Sequence, residues 1–124
     1  MSEFEGQIIL VVEDNFMSYK LLEAHFRRAN LSILHASDGV KAIEIFNETP
    51  NISMILMDIQ LPGLSGLDVT RKIRESNTEI PIIAATANVF DDDKQACIEA
   101  GCTDFLSKPI SFPELFQLLD KYLG

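Results

Sequence analysis

The chain is poor in the residues that mark several protein classes. It has two cysteines, Cys97 and Cys102, in 124 residues, too few for a disulfide framework. They flank Gly101 at an expected helix end and read as reduced thiols in a cytosolic protein. A metal site needs more ligands, and His25 and His35 show no spacing relation to them. Cationic residues are also scarce. Ten Lys and Arg against 19 Asp and Glu leave a formal charge of −9, which disfavours nucleic acid as a direct partner, since phosphate backbones select basic surfaces. No apolar run approaches the ~20 residues of a membrane span, so no membrane contact by this domain is expected. The start, Met1 to Gly6, lacks a basic segment followed by an apolar one, so no signal peptide is expected. These absences point to a cytoplasmic location. Repeats, low-complexity tracts and linkers are missing too, and a chain of this length with 47% apolar residues is expected to form one domain with a buried core.

What is present is an alternation of two hydrophobic periods. Strand candidates are Ile8–Val12, Ser32–Ala36, Ile52–Met57, Pro81–Ala85 and Asp104–Leu106. Helix candidates lie between and after them, near Asn15–Ala29, Asp38–Thr49, Ser65–Glu75, Val89–Ala100 and Phe112–Leu123. Asp38 is placed to cap a helix, and Ser111-Phe112-Pro113-Glu114 has the form of a capping box with proline in the first turn. Gly101 stands where a helix would end in a left-handed conformation. Strands separated by helices predict right-handed βαβ crossovers and an α/β fold, a parallel sheet with helices on both faces.

Two of the apolar runs end in acids. Ile8-Ile9-Leu10-Val11-Val12 leads into Glu13-Asp14, and Met54-Ile55-Leu56-Met57 into Asp58. A charged group does not belong inside a buried strand, because an unpaired carboxylate there costs several kcal/mol or more. At the carboxyl end of a parallel strand it has a place, the crevice where open α/β sheets bind ligands. Strand four ends in Thr86 and strand five in Lys108-Pro109. Doubly wound topology brings these ends to one rim. Three carboxylates alone would repel one another, and Mg²⁺, a hard cation that takes oxygen ligands, would relieve them. A hydroxyl at Thr86 and an ammonium at Lys108 are what a phosphoryl group in the same pocket would need. The set therefore reads as phosphoryl transfer onto a carboxylate, with Asp58 as nucleophile.

These residues resemble the receiver (response regulator, CheY-like) domain of two-component phosphorelay systems. The likeness rests on Val11-Val12-Glu13-Asp14-Asn15, on Met57 to Gly66 (Met-Asp-Ile-Gln-Leu-Pro-Gly-Leu-Ser-Gly), on Ala84-Ala85-Thr86-Ala87-Asn88 and on Phe105-Leu106-Ser107-Lys108-Pro109. It implies a flavodoxin-like (βα)5 fold over residues 7–124, with 1–6 a flexible lead-in. It implies a signalling module, not an enzyme in the ordinary sense, whose Asp58 takes a phosphoryl group from a histidine kinase or histidine phosphotransfer protein with Mg²⁺ required. The implied metal set is Glu13, Asp14, Asp58 and the Gln60 backbone carbonyl. The implied phosphoryl-handling set is Asp58, Thr86 and Lys108. Phe105 matches the family's switch aromatic, and the Lys108–Pro109 bond matches one the family keeps cis. Gln60 and Asn88 sit where the family tunes dephosphorylation. Three positions depart from the commonest pattern: Glu13 in place of Asp, Phe105 without a hydroxyl, and Ser65 in place of an often acidic residue. The phrasing around Glu13 and Thr86 is closer to receivers of hybrid sensor kinases than to those of DNA-binding regulators.

Two other classes put chemistry at a strand end. A haloacid-dehalogenase-like phosphatase wants a second acid two residues past its nucleophile, and that position is Gln60. A flavodoxin-type carrier wants a Ser/Thr/Gly-rich loop after strand one, where Glu-Asp-Asn stands. On the first helix, a buried stripe of Ser18, Leu21, Leu22, His25 and Ala29 would turn Phe16 about 160° away and Tyr19 roughly 100° away, at ~100° per residue. Phe16 is the expected docking aromatic for the phosphodonor, with Tyr19 beside it.

Overall fold

The computed structural model describes residues 4–87 and 91–124, without the side chains of Asp91, Asp92 and Asp93. The elements alternate as β1 (Ile8–Val12), α1 (Phe16–Arg28), β2 (Ser32–Ala36), α2 (Gly39–Glu48), β3 (Met54–Asp58), α3 (Gly66–Arg74), β4 (Ile82–Thr86), α4 (Asp91–Ala100), β5 (Asp104–Ser107) and α5 (Phe112–Leu123). All strand pairs are parallel, in the order β2-β1-β3-β4-β5. That is the doubly wound order whose direction switches between β1 and β3, and ligands bind such sheets at that switch. Asn88 and the expected helix start at Val89 lie outside the described residues.

The expected elements are all found, with shifts of one or two residues at some ends. The third strand is the informative one. It begins two residues late: Ser53 still donates its N–H to the Ile8 carbonyl at 2.8 Å, but the Ile8 N–H goes to the Ser53 hydroxyl at 3.1 Å and not to a backbone carbonyl. It then runs through Asp58, which pairs in register with Ala85. The acid is thus part of the ladder, not a residue after it.

Both faces of the sheet are covered. On one, Ile9, Val11, Met54, Leu56 and Ile83 pack under Leu22 and Phe26 of α1 and Leu115 and Leu119 of α5. On the other, Leu10, Val12, Ile55, Met57 and Ile82 pack under Ala42 of α2 and Val69 and Ile73 of α3. Burial of a large apolar side chain contributes ~1.5–3 kcal/mol, and these two layers make the sheet a rigid base for its rim. Phe4, inside the expected lead-in, is buried against Phe116 with ring centroids 6.3 Å apart. The lead-in thus supplies one core side chain.

Helix starts are capped from the side chains expected. Asp38 accepts the Lys41 N–H at 2.8 Å, and Ser111 accepts the Glu114 N–H at 3.4 Å. Gly101 closes α4 at φ 107, as a left-handed cap requires. Gly66 opens α3 so close to β3 that a Cβ there would stand 2.2 Å from the Asp58 carbonyl. Only glycine lets the β3–α3 loop fold this tightly beside Asp58.

The stripe on α1 is phased differently from expectation. Leu22 and Phe26 form its buried centre, and Leu21 is 55% exposed. Tyr19 is half-buried and stacked on His35, centroids 3.6 Å apart, so it is not part of the exposed aromatic surface. Phe16 points outward as expected, at 66% exposure, beside Met17 at 75%.

Candidate functional site

The carboxyl ends of β1, β3, β4 and β5 converge on one rim. Past the ladders the chain is tied by single backbone bonds: Glu13 N–H to the Ala36 carbonyl at 3.0 Å, Ile59 N–H to Ala85 at 3.0 Å, and Lys108 N–H to Thr86 at 2.8 Å. These bonds fix where each side chain begins. Asn15 then caps α1 by accepting the Ser18 N–H at 2.9 Å, which turns the chain sharply after the acid pair.

Carboxylate oxygens of Glu13, Asp14 and Asp58 lie within 4.8 Å of one another. Glu13 and Asp58 are buried, and Asp14 faces solvent. Lys108 stands between the buried pair, its Nζ 3.0 Å from Asp58 Oδ2 and 3.2 Å from Glu13 Oε1. The second oxygen of Asp58 accepts the Gln60 N–H at 3.0 Å, and that of Glu13 accepts the Asn15 N–H at 3.1 Å. Thr86 is buried at the end of β4, next to the Ala85 that pairs with Asp58.

The electrostatics are uneven. Three acids share one ammonium. Burial pushes the Asp58 carboxyl up to about 6, against the pull of Lys108 and the Gln60 N–H, and Glu13 adds to the rise. For Lys108, burial disfavours the ammonium, but the hydrogen bond and charge of Asp58, with Glu13, outweigh it and hold the group above its ordinary value. Near neutral pH Asp58 remains a carboxylate in the main, more basic than an ordinary aspartate. The oxygen-only donor set with surplus negative charge is of the kind that holds a hard divalent cation.

Every expected site residue within the described segments belongs to this rim: Glu13, Asp14, Asp58, Gln60, Thr86 and Lys108. The Lys108–Pro109 bond is cis, as the resemblance implies. Phe105 is half-buried on β5, with the Lys94 ammonium 5.2 Å from its ring centroid. Among the described residues, only Glu13, Asp14 and Asp58 group in this way for a metal, and neither cysteine takes part. Sequence reasoning missed His35, whose Nε2 lies 2.8 Å from the Glu13 carbonyl. Nothing in its spacing points there, because its partner is a backbone oxygen 22 residues away.

Comparison with known proteins gives a consistent result. Residues 9–120 match the family described as the response regulator receiver domain. The chain is 39% identical, over 96% of its length, to hybrid signal transduction histidine kinase I of Dictyostelium discoideum. It spans no more than 7% of the length of such curated kinases. Among solved structures, it resembles the receiver domain of sensor histidine kinase PA1611 from Pseudomonas aeruginosa, which has a magnesium ion coordinated in its active site cleft. Identity is 38% and the TM-score 0.87, covering 96% of this chain and 98% of that one. It also resembles the Saccharomyces cerevisiae receiver domain of Ssk1, solved with the histidine phosphotransfer protein Ypd1, at 30% identity and a TM-score of 0.90, covering 97% of this chain and 90% of that one.

Proposed function

The chain belongs to the response regulator receiver domain family, a phosphoacceptor module of two-component signalling, and from that premise we propose that Asp58 is its phosphoacceptor and that residues 7–124 are the receiver. The observation that carries the reading is the place of Asp58 within the acid cluster: buried, at the strand end, with Lys108 at 3.0 Å. In the proposed reaction the N–P bond of a phosphohistidine breaks as an Oδ–P bond to Asp58 forms. Asp58 is oriented by the Gln60 N–H, and its raised basicity suits it to attack. Lys108 would turn from Asp58 onto the phosphoryl oxygens, and the Thr86 hydroxyl would donate to another. Glu13, Asp14, Asp58 and the Gln60 carbonyl would hold Mg²⁺. When bound, the ion neutralises charge on the transferring group.

The proposed donor is a histidine kinase or histidine phosphotransfer protein. A surface suited to it flanks the site. Phe16, Met17 and Leu21 are exposed on α1, and a groove of about 400 Å³ lies between α1 and the β5–α5 loop, lined by Ser18, Leu21, Leu22, Pro109, Ile110 and Phe112. Exposed aromatics beside a reactive site commonly anchor partners. Among the described residues, no helix is long and apolar enough to cross a membrane.

Intact mass spectrometry tests the assignment. With Mg²⁺ and acetyl phosphate the mass should rise by one phosphoryl group, about 80 Da for aspartyl phosphate chemistry, and Asp58→Asn should abolish the gain. An equal gain in the variant would place the phosphoacceptor elsewhere.

A further inference from the structure

The acid pair is held from behind by a histidine that the reading above does not use, and we propose that His35 is a positioning residue for the cation site. Its Nε2–H fixes the peptide joining Glu13 to Asp14 and so sets the direction of both carboxylates. The inference rests on the reading of those two acids as cation ligands.

The β1–β2 ladder ends where Val12 pairs with Ala36. The bond from Glu13 N–H to Ala36 carries it one step further. The Glu13 carbonyl lies past that last bond, and there the side chain of His35 meets it at 2.8 Å. A carbonyl only accepts, so the proton sits on Nε2. The ring has little freedom to face elsewhere. Tyr19 lies flat against it, planes 7° apart. Tyr19 is held in turn through its hydroxyl, which donates to Glu23 at 3.1 Å, and Glu23 is held by Lys20 and Arg27 at 2.6 and 3.2 Å.

Glu13 is consequently tied at four atoms. Its N–H bonds Ala36, its carbonyl His35, one side-chain oxygen the Asn15 N–H and the other Lys108. The peptide that His35 grips is planar and joins the two acids, so its tilt orients both side chains. Of the four ties, the His35 bond is the one made to that peptide's oxygen. Without it the peptide lies beyond the ladder and can rotate. Partners that orient ligating groups from the outer shell typically contribute 10–100-fold to metal affinity.

Two variants separate the donor from the ring. His35→Phe keeps a flat ring against Tyr19 and deletes the N–H. His35→Gln loses the ring and restores an N–H near the position of Nε2. Mg²⁺ affinity is measured by calorimetry and by the Gln60 amide shift in backbone NMR spectra, with Asp14→Asn in the same series. His35→Phe should weaken Mg²⁺ binding roughly tenfold, the low end of the outer-shell range, and His35→Gln should recover most of it. In the wild type at pH 8, imidazole nitrogen shifts should show the Nε2–H tautomer. Wild-type affinity in His35→Phe, equal weakening in both His35 variants, or a bare Nε2 in the wild type would overturn the inference. The last reading needs no variant to fold. If Asp14→Asn loses Mg²⁺ and His35→Phe does not, the acid pair stands as ligand and only the His35 role falls. If Asp14→Asn binds as the wild type does, the ligand reading fails and takes the His35 role with it.

Discussion

The two rims of the sheet are built on opposite rules. At the amino rim, Arg74 of α3 spreads its guanidinium over neutral acceptors: the Gly101 carbonyl at 2.8 Å, the Asn77 carbonyl at 3.1 Å and Thr103 Oγ1 at 3.2 Å. Thr103 also accepts the Ile82 N–H at 3.0 Å, and Asn77 Oδ1 accepts the Glu79 and Ile80 N–H groups at 2.9 Å. One charge is matched to several dipoles, and the strands are stitched to their helices. At the carboxyl rim three acids crowd one lysine, and burial lifts Asp58 well above its ordinary range. The first arrangement stabilises the fold. The second stores unfavourable charge where a cation and a phosphoryl group can relieve it. Substitutions at the two rims should therefore differ in sign.

The largest effect on stability is expected at the amino rim. Arg74→Ala removes three hydrogen bonds made by a charged donor, two part-buried and one exposed, which should cost about 2–4 kcal/mol in urea unfolding. Labelling of the folded protein by acetyl phosphate should be unchanged. Loss of labelling in folded Arg74→Ala would show that the rims are not separate in function.

A smaller effect of opposite sign is expected at Asp58. Its carboxyl rises from an ordinary 3.8 to about 6 in the folded chain. The fold therefore favours the neutral acid. That contribution is fully present below the ordinary value and is lost as the pH rises through about 6. Asp58→Asn should be more stable than the wild type by about 1–3 kcal/mol at pH 7 without divalent cations, and the difference should shrink as the pH falls toward 4. A variant less stable than the wild type at pH 7 would mean that the Lys108 pair more than offsets burial.

Much of this contrast was legible in the sequence. Acids closing buried runs mark the carboxyl rim directly, because few other places tolerate them. The amino rim was not legible, since Arg74 reads as one more polar helix residue and its acceptors are mainly backbone carbonyls. His35 escaped notice for the same reason. On α1, periodicity located the helix and misjudged its phase. Leu21 reads as core by spacing, yet it is exposed beside Phe16 and Met17, and Phe26 holds the buried centre. Apolar residues that serve a surface add to the pattern that core residues make, and spacing cannot separate the two. Phe4 was missed because a single aromatic in a short polar lead-in has no period at all.

The smallest effect concerns that surface. Phe16→Ala should slow transfer from the cognate phosphohistidine protein by less than about tenfold, the range of a moderate interface contact, and leave stability and acetyl phosphate labelling nearly unchanged. Equal slowing with both donors would place Phe16 within the pocket's chemistry and not on a docking face.

The central claim is that the carboxyl rim is a cage of like charge built for a divalent cation. Thermal unfolding with and without Mg²⁺, in the wild type and in Asp14→Asn, tests it most directly. A ligand at 100 times its Kd stabilises the folded state by about 2.7 kcal/mol, so the wild-type midpoint should rise clearly on adding saturating Mg²⁺. Asp14→Asn should match or exceed the wild type without the ion and gain far less with it. An equal Mg²⁺-induced rise in both proteins, or a lower ion-free midpoint in the variant, would contradict the account.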